Sequence, residues 1–179
     1  MRRNLIHWNF IVLVAVMTAA AGMAAEPIGY WPFDGDLEES VGSAHGTMTQ
    51  GEPVFVGSAL SLNGADGYVE ISYGTNDPYT YSLWVMTTKS ASQSIVTRTD
   101  GDPTNTWSQQ LRINANNQFE HYNYAGGAQT STGSTAIKPG TWYHVAVAAT
   151  GSGDMSLFVN GELEASLSGI GGLWGAGDR

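Results

Sequence analysis

The carboxylates best spaced for acid–base work are Glu162 and Glu164, which stand two residues apart in an extended stretch and so share one strand face. Two carboxylates on one face can act as acid and nucleophile in glycoside cleavage. This pair directly follows Asn160-Gly161, a turn signal, and a solvated strand face accounts for it better. His45, His121 and His144 are scattered, and the chain has no His-Glu-x-x-His helix and no Gly-x-Ser-x-Gly elbow. We therefore assign no catalytic residue.

Two other groups could hold a ligand. Asp34-Gly35-Asp36 and Glu38-Glu39 crowd four carboxylates into six residues. Acidic, glycine-containing loops of this kind supply the oxygens calcium requires, so Asp34, Asp36, Glu38 and Glu39 are candidate calcium ligands, with an acid-rich turn as the alternative. Calcium is the one cofactor the residues suggest. Asp66 and Asp100-Gly101-Asp102 read more simply as turn residues. A sugar site needs an aromatic platform beside hydrogen-bonding side chains. Trp107 lies in a polar stretch, and Tyr122 and Tyr124 share a strand face with Asn123 and His121 on the other. With Gln109, Arg112 and Asn114 beside them, these three aromatics are the candidate stacking residues; the alternative is that the tyrosines merely cover a sheet. Trp31, Trp84 and Trp142 fall in strand-like runs and are assigned to the core.

The elements that would position these residues are strands. Short runs rich in Val, Ile, Tyr, Trp and Thr recur between Gly, Asn, Asp and Ser clusters: 53–56, 59–62, 68–72, 79–87, 94–98, 109–114, 118–124, 141–149, 155–159 and 162–167. No stretch beyond residue 25 repeats its apolar residues at helical spacing over three turns. Even spacing of strands and turns predicts an all-β sandwich or barrel in one domain. Asn160-Gly161 predicts a type I′ hairpin, Asn63-Gly64 precedes a strand similarly, and Lys138-Pro139-Gly140 predicts a turn into the run at Trp142.

Residues 1–25 have the layout of a signal peptide. Arg2 and Arg3 open it, Phe10 to Ala21 is apolar or small throughout, and cleavage is expected after Ala24 or Ala25. The apolar run is short for a membrane span, which needs about 20 residues, so none is expected once the leader is removed. The expected compartment is outside the cell, in a periplasm or at the cell surface. Residues 26–179 would then form one domain of roughly 150 residues, large enough for a real core. The formal charge of −9 becomes more negative without Arg2 and Arg3, which disfavours nucleic acid as a partner. The chain has no cysteine, hence neither disulfides nor a lipoprotein anchor.

The order of motifs resembles the bacterial laminin-G-like jelly rolls of the concanavalin A-like lectin/glucanase superfamily. Tyr30-Trp31-Pro32-Phe33-Asp34-Gly35 looks like the first strand and turn of that family. Ala59 to Gly64 followed by Gly67 to Ile71 looks like its next hairpin, with Asn63 where Asp is usual. Tyr81-Ser82-Leu83-Trp84-Val85, Gly140 to Ala146 and Leu157 to Gly161 complete the series. The resemblance implies an antiparallel two-sheet jelly roll and a calcium at the sandwich rim, with Glu39 in a place where relatives carry Asp. Relatives that cleave β-glucans carry a third carboxylate on the catalytic strand, which is missing beside Glu162 and Glu164. Such domains also continue into a closing strand, so the chain ending at Arg179 is expected to lack its last one or two strands. The expected function is a non-catalytic carbohydrate-recognition or adhesive module. The alternatives are a protein-interaction or structural module of a larger extracellular protein, or, less favoured, a degenerate β-glucanase. The expected partner is a glycan or an extracellular protein.

Overall fold

A computed structural model describes residues 10–17, 26–72, 79–99, 107–124, 128–150 and 153–169. These residues contain no helix, and fourteen strands alternate with turns. The larger sheet has eight strands. Its path begins with β14 (Glu162–Leu167), β13 (Met155–Val159), β12 (Trp142–Ala149) and β7 (Tyr79–Met86). It continues through β1 (Phe10–Met17), β5 (Leu60–Leu62) and β4 (Val54–Phe55), and β2 (Pro27–Trp31) also pairs with β1. The second sheet runs β11 (Ala128–Thr132), β10 (Phe119–Tyr124), β9 (Trp107–Ile113), β8 (Gln93–Thr99). A short ribbon joins β3 (Thr47–Thr49) to β6 (Tyr68–Glu70). All these pairings are antiparallel.

The core lies between the two large sheets, as period-two alternation requires. Along β12, Tyr143, Val145, Val147 and Ala149 are buried, whereas Trp142 is exposed and His144 is half-buried. Leu83 and Val85 of β7, Leu157 and Val159 of β13, and Trp31 of β2 join them from the larger sheet. Leu111, Ile113 and Phe119 come from the smaller one. Phe119 meets Tyr143 edge-on across the interface, with ring centroids 5.6 Å apart. The two-layer all-β architecture expected from the strand spacing is thus present.

The turns behave as their residues dictate. Asn160 and Gly161 have φ of 51° and 85°, the left-handed pair a type I′ hairpin needs, and Asn160 Oδ1 accepts the His144 amide at 3.0 Å. At Lys138-Pro139-Gly140 the Thr141 amide returns to the Lys138 carbonyl at 3.2 Å, with Gly140 at φ 77°. Asn63 Oδ1 gathers the amides of Ala65, Asp66 and Gly67, and Asp66 accepts the Asn63 amide group at 2.8 Å, so Asp66 is a turn residue.

Two assignments are corrected. Trp84 and Trp142 are not core residues: they stand on the outer face of the larger sheet, 45% and 40% exposed, and Trp84 packs on the His144 ring at 5.3 Å. Strand parity explains this, because Leu83, Val85 and Tyr143 take the inward positions on either side of them. Trp31 is buried as expected, its Nε1 donating to the Ala44 carbonyl at 2.8 Å. Phe10–Met17, within the segment expected to be a leader, forms strand β1. The cleavage region at Ala24 and Ala25, the Asp100-Gly101-Asp102 turn and the chain end lie outside the described residues.

Candidate functional site

The most elaborate polar arrangement is on the outer face of the smaller sheet. In the β9–β10 ladder Arg112 lies opposite Glu120 and Gln110 opposite Tyr122. Outside them, Glu120 pairs with Thr132 of β11, while Ser94 and Thr97 of β8 pair with Arg112 and Gln110. A slip between Ser94 and Val96 keeps both Ser94 and Thr97 within reach of Gln110.

Hydrogen bonds knit this face together. Arg112 Nε donates to Glu120 Oε1 at 2.6 Å and its Nη2 pairs with the same oxygen. Arg112 Nη1 donates to Gln110 Oε1 at 3.3 Å, and Gln110 Nε2 donates to Ser94 Oγ at 2.6 Å and Thr97 Oγ1 at 3.4 Å. The other Glu120 oxygen accepts Thr132 Oγ1 at 3.0 Å and Asn114 Nδ2 at 3.4 Å. The guanidinium also lies over the Tyr122 ring, 5.4 Å from its centroid. Burial alone would raise the Glu120 pKa, but Arg112, Thr132 and Asn114 outweigh it and hold the carboxyl below its ordinary range. Arg112 keeps 29% of its side chain exposed against 11% for Glu120, so the guanidinium is the more accessible partner of the pair.

This face unites three of the proposed sugar-site residues, Arg112, Asn114 and Tyr122. Gln109 is corrected: it is 4% exposed and lies opposite Asn123, on the inward side of the sheet. Its neighbour Gln110 belongs to the outer face, opposite Tyr122, although it too is buried at 7% exposed beneath its hydrogen bonds to Arg112, Ser94 and Thr97. Trp107 begins β9 opposite Thr99, and Tyr124 ends β10 opposite Ala128; their side chains lie outside the description. The sequence reading missed Glu120, Gln110, Ser94, Thr97 and Thr132. Stepping by two from Arg112 and Tyr122 would have found Gln110 and Glu120.

Behind this face, His121, Asn123 and Ser131 point inward and are almost wholly buried. Among the described residues, both His121 nitrogens, both Asn123 amide atoms and Ser131 Oγ find no hydrogen-bond partner. Burial holds the His121 pKa down at about 4, so the ring is neutral at ordinary pH.

Of the remaining candidates, Glu39 and Glu164 hold backbone amides. A register shift between Leu157 and Phe158 leaves Glu164 without a partner in the β13–β14 ladder, whereas Glu162 pairs with Val159. Glu162 is exposed, whereas Glu164 Oε2 accepts the amides of Ser134 at 2.9 Å and Thr135 at 3.0 Å, and Oε1 accepts the Thr135 hydroxyl. The acidic loop after β2 is divided similarly. Buried Glu39 accepts amides from Tyr30 at 3.4 Å, Gly42 at 2.8 Å and Ala44 at 3.1 Å. Burial would raise its pKa, and these donors with Val41 bring it below the usual value instead. Asp36 Oδ1 accepts the Glu38 amide at 3.0 Å, and Asp34 is exposed. His45 Nδ1 accepts the Glu39 amide at 3.0 Å and lies 2.8 Å from Glu38 Oε2. Asp34, Asp36, Glu38 and Glu39 are therefore not drawn around one centre. Among the described residues no group of three or more His, Asp or Glu is placed to hold a metal.

An antiparallel two-layer sandwich with a polar, aromatic-bearing outer sheet defines a lectin-like all-β class. Residues 63–179, about two thirds of the chain, match the laminin-G family model described as the concanavalin A-like lectin/glucanases superfamily, and the chain belongs to that family. No curated protein and no solved structure matches it. No helix among the described residues is long and apolar enough to cross a membrane.

Proposed function

We propose that the protein is a secreted, non-catalytic carbohydrate-recognition or adhesive module that binds glycan on the outer face of its smaller sheet. The observation carrying this reading is the network of Gln110, Arg112, Asn114, Glu120 and Thr132 beside the Tyr122 ring. It combines fixed donors and acceptors for sugar hydroxyls with an aromatic surface, the pairing a sugar site requires. Family membership supports the reading by analogy, since the superfamily holds both lectins and glucanases. A binding role is favoured over hydrolysis by how the carboxylates are used. Glu120 and Glu164 have both oxygens engaged by donors, and Glu120 is held ionised, which suits an orienting group better than a proton donor. The layout of residues 1–25 supports export.

A glycan array, run with and without added calcium, tests this directly. Binding that drops at least about tenfold in Tyr122→Ala and Arg112→Ala is expected. Absence of binding to any glycan at high protein concentration would count against it, as would variants that bind unchanged. Calcium dependence would show that a cation takes part in binding. A protein-binding role is the second reading, favoured by exposed Trp84, Trp142 and Leu163 on the larger sheet.

A further inference from the structure

The outer face of the smaller sheet is laid out in rows across its four strands. One row runs Ser94, Arg112, Glu120, Thr132 from β8 to β11, each residue opposite the next. The neighbouring row runs Thr97, Gln110, Tyr122, Thr130 in the same way. Among the described residues of these rows, Arg112 and Glu120 are the charged ones, and they are bonded to each other. The flanking Ser94, Thr97, Thr130 and Thr132 are exposed and offer hydroxyls.

The face thus carries a cation without being a cationic site. Arg112 Nε and Nη2 both bind Glu120 Oε1, and Nη1 donates to Gln110 Oε1. The Nε–Nη2 edge, one of those by which a guanidinium clasps a carboxylate, is therefore already occupied. An acidic sugar could gain the guanidinium by drawing it away from Glu120, or by setting a second anion beside the first. Drawing it away leaves a carboxylate only 11% exposed without its counter-ion, which is costly. Sharing it brings two like charges together. A sugar hydroxyl meets neither penalty. The formal charge of −9 adds a long-range repulsion of anionic polymers.

We propose, on the glycan reading above, that the site takes uncharged glycans and refuses uronate- or sulfate-bearing ones, because Glu120 cancels Arg112. Glu120 acts through Arg112, as a positioning and charge-balancing residue. The selectivity comes from an element that opposes the wrong ligand as well as from those that favour the right one.

The test screens the full chain on an array carrying neutral, uronate-bearing and sulfated glycans. The best hit with primary hydroxyls is then titrated beside its C6-oxidised form, in which those hydroxyls have become carboxylates. The array hits should be uncharged, and the oxidised form should bind at least about tenfold more weakly. Affinity for the uncharged form should stay level as salt is raised, since no net charge is being neutralised. In Glu120→Gln the ratio of the two affinities should move at least about tenfold toward the oxidised form. A merely structural loss would lower both affinities together and leave the ratio where it was. Thr130→Lys, at an exposed position opposite Tyr122, adds an unpaired cation and should move the ratio the same way. It carries the test should Glu120→Gln fail to fold. Wild-type preference for acidic glycans, or an unmoved ratio in the folded variant, would overturn the charge-balance proposal and leave glycan binding standing. Binding to no glycan at all would remove the glycan reading, and this proposal with it.

Discussion

Arg112 and Glu120 stand directly opposite each other in the β9–β10 ladder, and the guanidinium Nε donates to the carboxylate at 2.6 Å. The carboxylate is the more buried partner and takes two further donors, so it fixes the guanidinium against the Tyr122 ring. A planar guanidinium held on both sides is an oriented donor surface whose ordering is complete before a ligand arrives.

Replacing Glu120 should therefore weaken binding chiefly by releasing Arg112, with the Tyr122 surface left in place. Glu120→Ala is expected to destabilise the fold by about 2 kcal/mol, because Arg112 and Thr132 lose a charged acceptor. Glycan affinity should fall alongside, and Glu120→Gln should restore part of the stability. Chemical denaturation and a binding titration on the same preparations check this.

Acid should unfold the protein in two windows. His121 has a folded pKa of about 4, below its ordinary 6.5. The unfolded state thus takes up the proton first, and stability is full above pH 6.5 and lost as pH falls toward 4. The loss is about 3 kcal/mol at most. Glu120 acts lower: its stabilisation is present above the ordinary 4.5 and disappears as pH falls through its depressed value. His121→Phe should flatten the upper window and leave the lower one, as read from Tm against pH.

Gly133 and Glu164 should be coupled. A Cβ at Gly133 would come within 2.5 Å of Glu164 Oε2 and 3.4 Å of the Phe119 carbonyl. Gly133→Ala must then displace the carboxylate from Ser134 and Thr135, at about 2 kcal/mol. In the Glu164→Ala background the same change should be nearly neutral. A double-mutant cycle giving simple additivity would refute the coupling.

The tryptophans should separate by an order of magnitude in their effect on the unfolding equilibrium. Trp31→Ala should cost about 3–5 kcal/mol, since it empties a core position and strands the Ala44 carbonyl. Trp84→Ser and Trp142→Ser should each cost about 1 kcal/mol or less, as outer-face residues do. Urea denaturation midpoints measure all three.

Much of the fold was legible because strand runs and turn pairs are local signals. The hairpin at Asn160-Gly161 needs only two residues with positive φ, and those residues are there to read. β11 was missed because Ala128–Thr132 is small and polar, with Ser131 alone buried. β1 was missed because apolar residues of this kind suit a leader and a mid-sheet strand equally. The site was half legible. Tyr122, Arg112 and Asn114 were chosen by type and share a face, but Gln109 was grouped with them although alternation from Arg112 assigns that face to Gln110. The role of Glu164 was not legible, because its capture of Ser134 and Thr135, about thirty residues away, is a tertiary contact that composition does not announce.

The most direct measurement is amide chemical-shift mapping by NMR as the best array glycan is titrated in. The account predicts saturable shifts grouped on Gln110, Arg112, Glu120 and Tyr122, lost in Tyr122→Ala. Shifts grouped instead around Trp84 and Trp142, with the smaller sheet undisturbed, would contradict it.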